Sequence, residues 1–197
     1  MIDQNDGLRF EREDHQYFYD GRPVRGVTEI LEAAGYVDRR WFTAAARARG
    51  SAVHKAVELL ARGDLDERTV DPRIIGYVEA ARAFIAAGRI DLSVCAVEQP
   101  VYGCRGGVEW AGTPDLVGPA FGGEVVIDWK TGSSATAGLA LAAYEMATRE
   151  GRPVARRRLV VELKRTGRYR LVEHKDVTDY ARFLAAAREA MRMEAAA

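Results

Sequence analysis

The sequence is short of the groups that would tie it to a membrane, a metal–sulfur cluster or an oxidising compartment. It has two cysteines, Cys95 and Cys104. Two thiols cannot supply the four ligands of an iron–sulfur cluster, so none is expected, and a reducing cytosol disfavours a disulfide between them. No run of about 18 apolar residues occurs, which leaves no transmembrane helix and no membrane partner. The acidic start, Met1-Ile2-Asp3-Gln4-Asn5-Asp6, lacks the apolar core of an export signal, so a cytoplasmic location is expected. Net charge is missing too: 29 lysines and arginines balance 29 aspartates and glutamates, so no global field draws in nucleic acid. What is present, 197 residues with 48% hydrophobic content, suffices for one core without staples. A single domain over 1–197 is expected.

Periodicity and turn residues order the elements. Leu8–Glu11 and Gln16–Tyr19 read as short strands, and Asp20-Gly21 as a hairpin turn. Thr28 can cap a short helix to Ala34, and Gly35 ends it. A helical stretch from about Arg39 to Arg62 is expected to break near Gly50. Asp71-Pro72 marks a helix start, with an apolar stripe from Ile74 to Ile85 and a stop at Gly88. Three strands come next, about Ser93–Tyr102, Val108–Val117 and Glu124–Lys130, in a meander. A helix over about Ala137–Arg149 leads by a right-handed crossover to a strand over Arg157–Lys164, with a short strand at Arg168–Val172. The last helix, from about Asp176, carries Val177, Tyr180, Phe183, Leu184, Ala187 and Met191 on one face. No internal repeat or linker is visible.

Two of those strands carry the chemistry. Asp115 lies in Ala111-Gly112-Thr113-Pro114-Asp115-Leu116, and Asp128 and Lys130 lie in Val125-Val126-Ile127-Asp128-Trp129-Lys130-Thr131-Gly132. Alternate residues of a strand face one way, so Asp128 and Lys130 share a face, inside a β-branched run where an unpaired charge is costly. The turn-rich Gly118–Gly123 segment makes a hairpin centred near Phe121, which sets Asp115 opposite about Ile127, one place from Asp128. Two converging carboxylates can hold a hard divalent cation, and a lysine beside them can orient or activate water. Those are the parts of metal-dependent phosphodiester hydrolysis.

Pro114-Asp115 followed by Asp128-Trp129-Lys130 and Thr131-Gly132 resembles the PD-(D/E)XK nuclease superfamily. The closer likeness is to its RecB-like exonuclease branch, which includes phage-encoded members. That branch also carries a histidine on an upstream helix, as in Arg49-Gly50-Ser51-Ala52-Val53-His54-Lys55-Ala56-Val57-Glu58, and the resemblance reaches back to Val27-Thr28-Glu29-Ile30-Leu31. It spans roughly residues 15–150. It implies an α/β fold: a restriction-endonuclease-like core with a mixed central sheet flanked by helices. An N-terminal hairpin and short helix would occupy 1–35, the nuclease core 36–175, and a C-terminal helix 176–197.

The same resemblance implies Mg²⁺ or Mn²⁺ held by Asp115, Asp128, the Trp129 backbone carbonyl and His54, with Asp115, Asp128 and Lys130 as the catalytic set. The implied partner is DNA, linear duplex or single strand, cut from an end, in a bacterial or phage-infected cell; the alternatives are a structure-specific endonuclease on the same core and a non-catalytic DNA-binding or assembly module. A homo-oligomer or a recombination or replication partner is compatible with it. Several relatives carry a four-cysteine cluster that this chain lacks. The branch also has a Gln-x-x-x-Tyr pair on the helix after the lysine. Tyr144 fits the tyrosine, but Ala140 stands at the glutamine position, and Tyr144 otherwise reads as a packing residue.

Other residues have two readings each. Glu58 shares a helix face with His54 and either supports the metal shell or pairs with Arg47 or Lys55. Glu98 is either a further carboxylate or an exposed strand residue before Pro100. The basic residues cluster: Arg152, Arg156, Arg157, Arg158, Lys164, Arg165, Arg168 and Arg170 stand against Glu162, and Arg39, Arg40, Arg47 and Arg49 precede the histidine helix. Such runs are solvated faces or phosphate tracks. Two clusters flanking one site favour a track, with Arg47, Arg49, Arg156, Arg157 and Arg158 as DNA contacts.

Overall fold

A computed structural model describes residues 6–37, 43–132, 135–149 and 155–195. Strands β1 (Leu8–Glu11), β2 (Gln16–Tyr19) and β3 (Arg22–Val24) form an antiparallel sheet in that order. The third strand was not foreseen, because Pro23 and its short length hide it. Helix α1 (Val27–Ala33) comes next, capped at Gly26, whose N–H is met by the Glu29 carboxylate at 3.0 Å rather than by Thr28.

Helix α2 (Ala44–Arg62) runs unbroken through Gly50. The glycine costs about 1 kcal/mol of helix propensity. Burial of Val53, Ala56, Val57 and Ala61 on the inner face offsets that cost. The expected start at Arg39, and Arg40 with it, lie outside the described residues. Helix α3 (Ile75–Gly88) begins later than Asp71-Pro72, because the Asp71 carboxylate closes a turn on the Arg73 N–H at 2.8 Å.

The central sheet has five strands. They are β4 (Ala96–Val97), β7 (Leu116–Ala120), β8 (Gly123–Lys130), β9 (Arg157–Leu163) and β10 (Tyr169–Glu173), ordered β10-β9-β8-β7-β4. All neighbours are antiparallel except β8 and β9, which helix α4 (Ala137–Thr148) links by the crossover that a parallel pair requires. The expected meander is broken. Strands β5 (Val101–Arg105) and β6 (Val108–Gly112) pair with each other in a separate ribbon. The chain leaves the central sheet at Glu98–Pro100 and re-enters it after Thr113-Pro114.

Helices cover both faces, so the fold is a mixed α/β sheet flanked by helices. Alternation along β8 explains the layers. Val125, Ile127 and Trp129 pack with α2 and α3, while Val126 packs with Leu141 of α4. Helix α5 (Thr178–Ala195) lies against α4 and α1 and buries Phe183, Ala186, Ala187 and Ala190. Val177 and Met191, expected on its apolar face, are 74% and 42% exposed, so the buried stripe is narrower and built largely of alanines.

Candidate active site

Strands β7 and β8 pair with Leu116 opposite Ile127 and Val117 opposite Val126. One step further along the same register sets Asp115 opposite Asp128, a residue away from the expected alignment with Ile127. Both carboxylates are 6% exposed. The Trp129 N–H donates to Asp115 Oδ2 at 2.5 Å, and His54 Nδ1 of α2 lies 3.1 Å from Asp115 Oδ1. Trp129 thus meets Asp115 through its backbone N–H, while its ring packs edge-on against Phe84 in the core.

Lys130 Nζ lies 2.9 Å from Asp128 Oδ1 and 2.8 Å from Oδ2. It donates to Oδ1, and the buried Oδ2 has no hydrogen-bond partner among the described residues. Asp128 and Lys130 thus share a face, as strand alternation requires. The lysine ends β8 where the sheet opens to solvent.

Glu98 is more central than its sequence context suggested. Its φ is +48°, a left-handed conformation uncommon for a residue with a Cβ and held at a cost of about 1–3 kcal/mol. Its N–H donates to the Asp115 carbonyl at 3.1 Å. One ligand atom each from His54, Glu98 and Asp115 lies within 4.8 Å of the others. A strand that continued straight, as the sequence implied, would not turn Glu98 into this cluster.

The charges are interlocked. Asp115 draws the His54 imidazolium up to about 9, against the opposing effect of burial. Burial, then the neighbouring Asp115 charge, push Glu98 up to about 8. For Asp115 burial acts upward, but His54, Lys130 and the Trp129 N–H outweigh it and hold the carboxyl at about 2. Burial raises Asp128 despite Lys130, and Lys130 is itself raised because Asp128 and Asp115 overcome its burial. At neutral pH His54 and Glu98 therefore hold protons that balance the buried acids.

Above this cluster lies a cleft of about 530 Å³ between α1, α2 and the segment from β8 into α4. His54, Asp128 and Lys130 line it, as do Arg47, Arg49 and Tyr36, and Ala140 stands in its wall. Thr131, part of the motif read in the sequence, lines it beside Lys130, whereas Tyr36 was not singled out, since nothing in its local pattern marks it. Tyr144 of α4 packs beside Gly112, where a Cβ would come within 2.5 Å of its ring. Burial and then the Asp128 charge raise its phenol well above the ordinary value, which keeps it neutral.

The remaining candidates divide. Glu58 pairs with Lys55 at 2.8 Å, and also with Arg62 and Arg12. It ties the N-terminal hairpin to α2. Arg156 and Arg158 are 7% and 3% exposed, which removes them from the expected phosphate track. Arg158 donates to Asp179 and to the Gly138 and Asp176 carbonyls, Arg156 donates to the Thr148 carbonyl, and Arg157 forks onto Glu173. Arg156, just before β9, and Arg158 on it thus turn their guanidinium groups onto α4 and the start of α5. Arg152 lies outside the described residues. Arg47 and Arg49 do face the cleft.

No protein-family model matches the chain, and no curated protein matches it. Among solved structures it is similar to a "putative exonuclease" from Eubacterium rectale, at 14% identity and a TM-score of 0.48, over 88% of this chain and 73% of that one. It is also similar to a protein designated SSO0001, at 14% identity and a TM-score of 0.40, over 85% of this chain and 84% of that one. Likeness at this level assigns no chemistry to the chain.

Proposed function

We propose that the protein is a divalent-metal-dependent deoxyribonuclease acting from DNA ends on a restriction-endonuclease-like core. The observation that carries this reading is the cluster of His54, Glu98 and Asp115, from well-separated segments, beside an open cleft that His54 lines together with the Asp128–Lys130 pair. The donor set fits Mg²⁺ or Mn²⁺. Carboxylate oxygens with one imidazole suit hard cations, and the buried Asp128 Oδ2 lacks a hydrogen-bond partner among the described residues. His54, Glu98 and Asp115 would hold the ion, with Asp128 beside them. Bound there, it would acidify water and neutralise charge on the scissile phosphate.

The chain's own groups do the rest. Asp128 holds the Lys130 ammonium charged and in place at the cleft floor, where it can orient the attacking water or meet charge developing on the phosphate. The Trp129 N–H fixes the Asp115 carboxylate, so the acid keeps its orientation when His54 gives up its proton. Arg47 and Arg49 offer cations to the phosphates on either side. Ala140 favours a second reading, a DNA-binding module that keeps the fold without turnover, because the cleft wall there lacks a polar group.

End-labelled linear duplex, closed circular and single-stranded DNA, each with Mg²⁺, Mn²⁺ or EDTA, separate the readings. An exonuclease degrades the linear forms only when metal is present. Cleavage of the closed circle would make it an endonuclease. Binding of all three without product in any metal would leave the module.

A further inference from the structure

A second cleft, of about 790 Å³, lies along the N-terminal half of α2, and Arg49 lines both it and the catalytic cleft. Its floor is small: Ala45, Ala48 and Ala52 face it from α2, with the ring of Tyr77 buried beneath. Its far wall is Arg165, in the turn between β9 and β10. That turn is held in place. The Lys164 N–H bonds to the Arg168 carbonyl at 2.9 Å, and the Arg165 backbone seats directly on Gly76, where any side chain would collide with it.

The arginines here differ from those of β9. Arg49 and Arg165 are exposed and have no acidic partner among the described residues, whereas Arg157 and Arg158 are paired with Glu173 and Asp179. Arg73, also in the second cleft, is already held by Asp71. Two cations without an acidic partner among the described residues thus line a cleft floored by alanines, and Arg49 joins it to the catalytic cleft.

We infer that this second cleft binds the phosphodiester backbone of a single substrate strand, which passes from the catalytic cleft over Arg49 to Arg165. The inference rests on the nuclease reading and gives it a length requirement. From His54 back to Ala45, α2 rises about 1.5 Å per residue, about 14 Å in all. Strands too short to span that length reach His54 and Asp115 without Arg165, and longer ones use both.

The test compares single-stranded oligonucleotides of three and twenty nucleotides in Mn²⁺, with the wild type, Arg165→Ala, Ala48→Glu and, as a charge-matched control away from both clefts, Arg105→Ala. The wild type should prefer the long strand by tenfold or more in kcat/KM. Arg165→Ala and Ala48→Glu should lose most of that preference through KM while cleaving the trinucleotide as before, and Arg105→Ala should keep it. Binding of a labelled twenty-mer in EDTA gives a readout independent of turnover. Its log–log salt slope should fall by about 0.7 in Arg165→Ala, the loss of one phosphate contact to a single strand. If the wild type cleaves but neither variant changes the length preference or the slope, the second cleft is a solvated groove. If the wild type cleaves nothing in any metal, the nuclease reading fails, and the salt slopes still decide whether a strand lies in the cleft.

Discussion

Two acid-x-lysine motifs stand side by side in the central sheet, Asp128-Trp129-Lys130 at the end of β8 and Glu162-Leu163-Lys164 at the end of β9. The strands are parallel, with Lys130 level with Glu162. In both, the lysine reaches back to the carboxylate two residues earlier, at 2.8 Å from Asp128 Oδ2 and 2.7 Å from Glu162 Oε2. Both carboxylates are buried. The local pattern is the same, and the environments are opposite. Glu162 also accepts from Arg170 Nε at 2.9 Å, and Arg170 and Lys164 together hold it at about 2. It is an acid saturated with cations. Asp128 faces Asp115 across the hairpin and is pushed upward by burial, with one lysine for company and protons on His54 and Glu98 keeping the balance. Two protons are a balance that one divalent cation can replace. The motif thus becomes a candidate metal centre only where a second carboxylate converges on it.

The largest effects should come from exchanging equivalent residues of the two motifs. Asp128→Asn should abolish metal-dependent cleavage and weaken Mn²⁺ binding, measured by single-turnover assay and calorimetry. Glu162→Gln should leave cleavage per folded molecule unchanged while costing roughly 1–3 kcal/mol of stability, since Arg170 and Lys164 lose a buried acceptor. Equal loss of cleavage in both would end the distinction.

Next, Lys130→Ala should slow cleavage about 10²-fold or more with metal affinity retained, the size expected for a group acting on the nucleophile or on transition-state charge. Lys164→Ala, at a half-exposed site, should change cleavage little and stability by less than about 1 kcal/mol. A kcat for Lys164→Ala as low as that for Lys130→Ala would mean that the β9 motif belongs to the site.

Metal addition should separate the two by stability. Saturating Mn²⁺, at about 100 times its Kd, adds roughly 2.7 kcal/mol, a melting shift of several degrees for a domain of this size. Glu98→Gln should reduce that shift and Glu162→Gln should not. The ligands must shed protons from His54, at about 9, and from Glu98, at about 8. Affinity should therefore climb as pH rises from 6 to 8, with protons released into the buffer. Calorimetry at pH 7 in two buffers of different ionisation enthalpy checks this, and zero proton release would remove His54 and Glu98 from the ligand set.

The smallest effect belongs to Glu162 alone. Its folded pKa lies below its unfolded one, so its ion pairs stabilise the fold fully above about 4.5 and less as pH falls towards 2. Acid unfolding of Glu162→Gln should be shallower over that window than that of the wild type. Identical slopes would mean that Glu162 does not titrate with folding.

Much of this was legible in the chain. The ranges of β1, β2, β8, β9 and α4 follow from alternation, β-branching and turn residues, and the elements of the candidate site come in the order their motifs imply. Asp115, Asp128, Lys130 and His54 meet as expected. The alignment of Asp115 was off by one, because turn composition limits a hairpin's register without selecting it. The continuity of α2 through Gly50 was missed because burial elsewhere on the helix outweighs one residue's propensity.

By itself the sequence determined which short segments would be strands and helices, and that one acid–lysine pair would share a face, because these depend on near neighbours along the backbone. Only the tertiary structure decided which charges meet an acid among the described residues. The Arg156–Arg158 run and the Arg47, Arg49 and Arg165 set look equally basic in one dimension. Folding brings Glu173 and Asp179 to the first and open cleft to the second. It likewise turned Glu98 towards Asp115 through a left-handed residue that no local pattern announces. A charge's role depends on what lies within a few ångströms of it, and for these residues those neighbours come from distant segments of the chain.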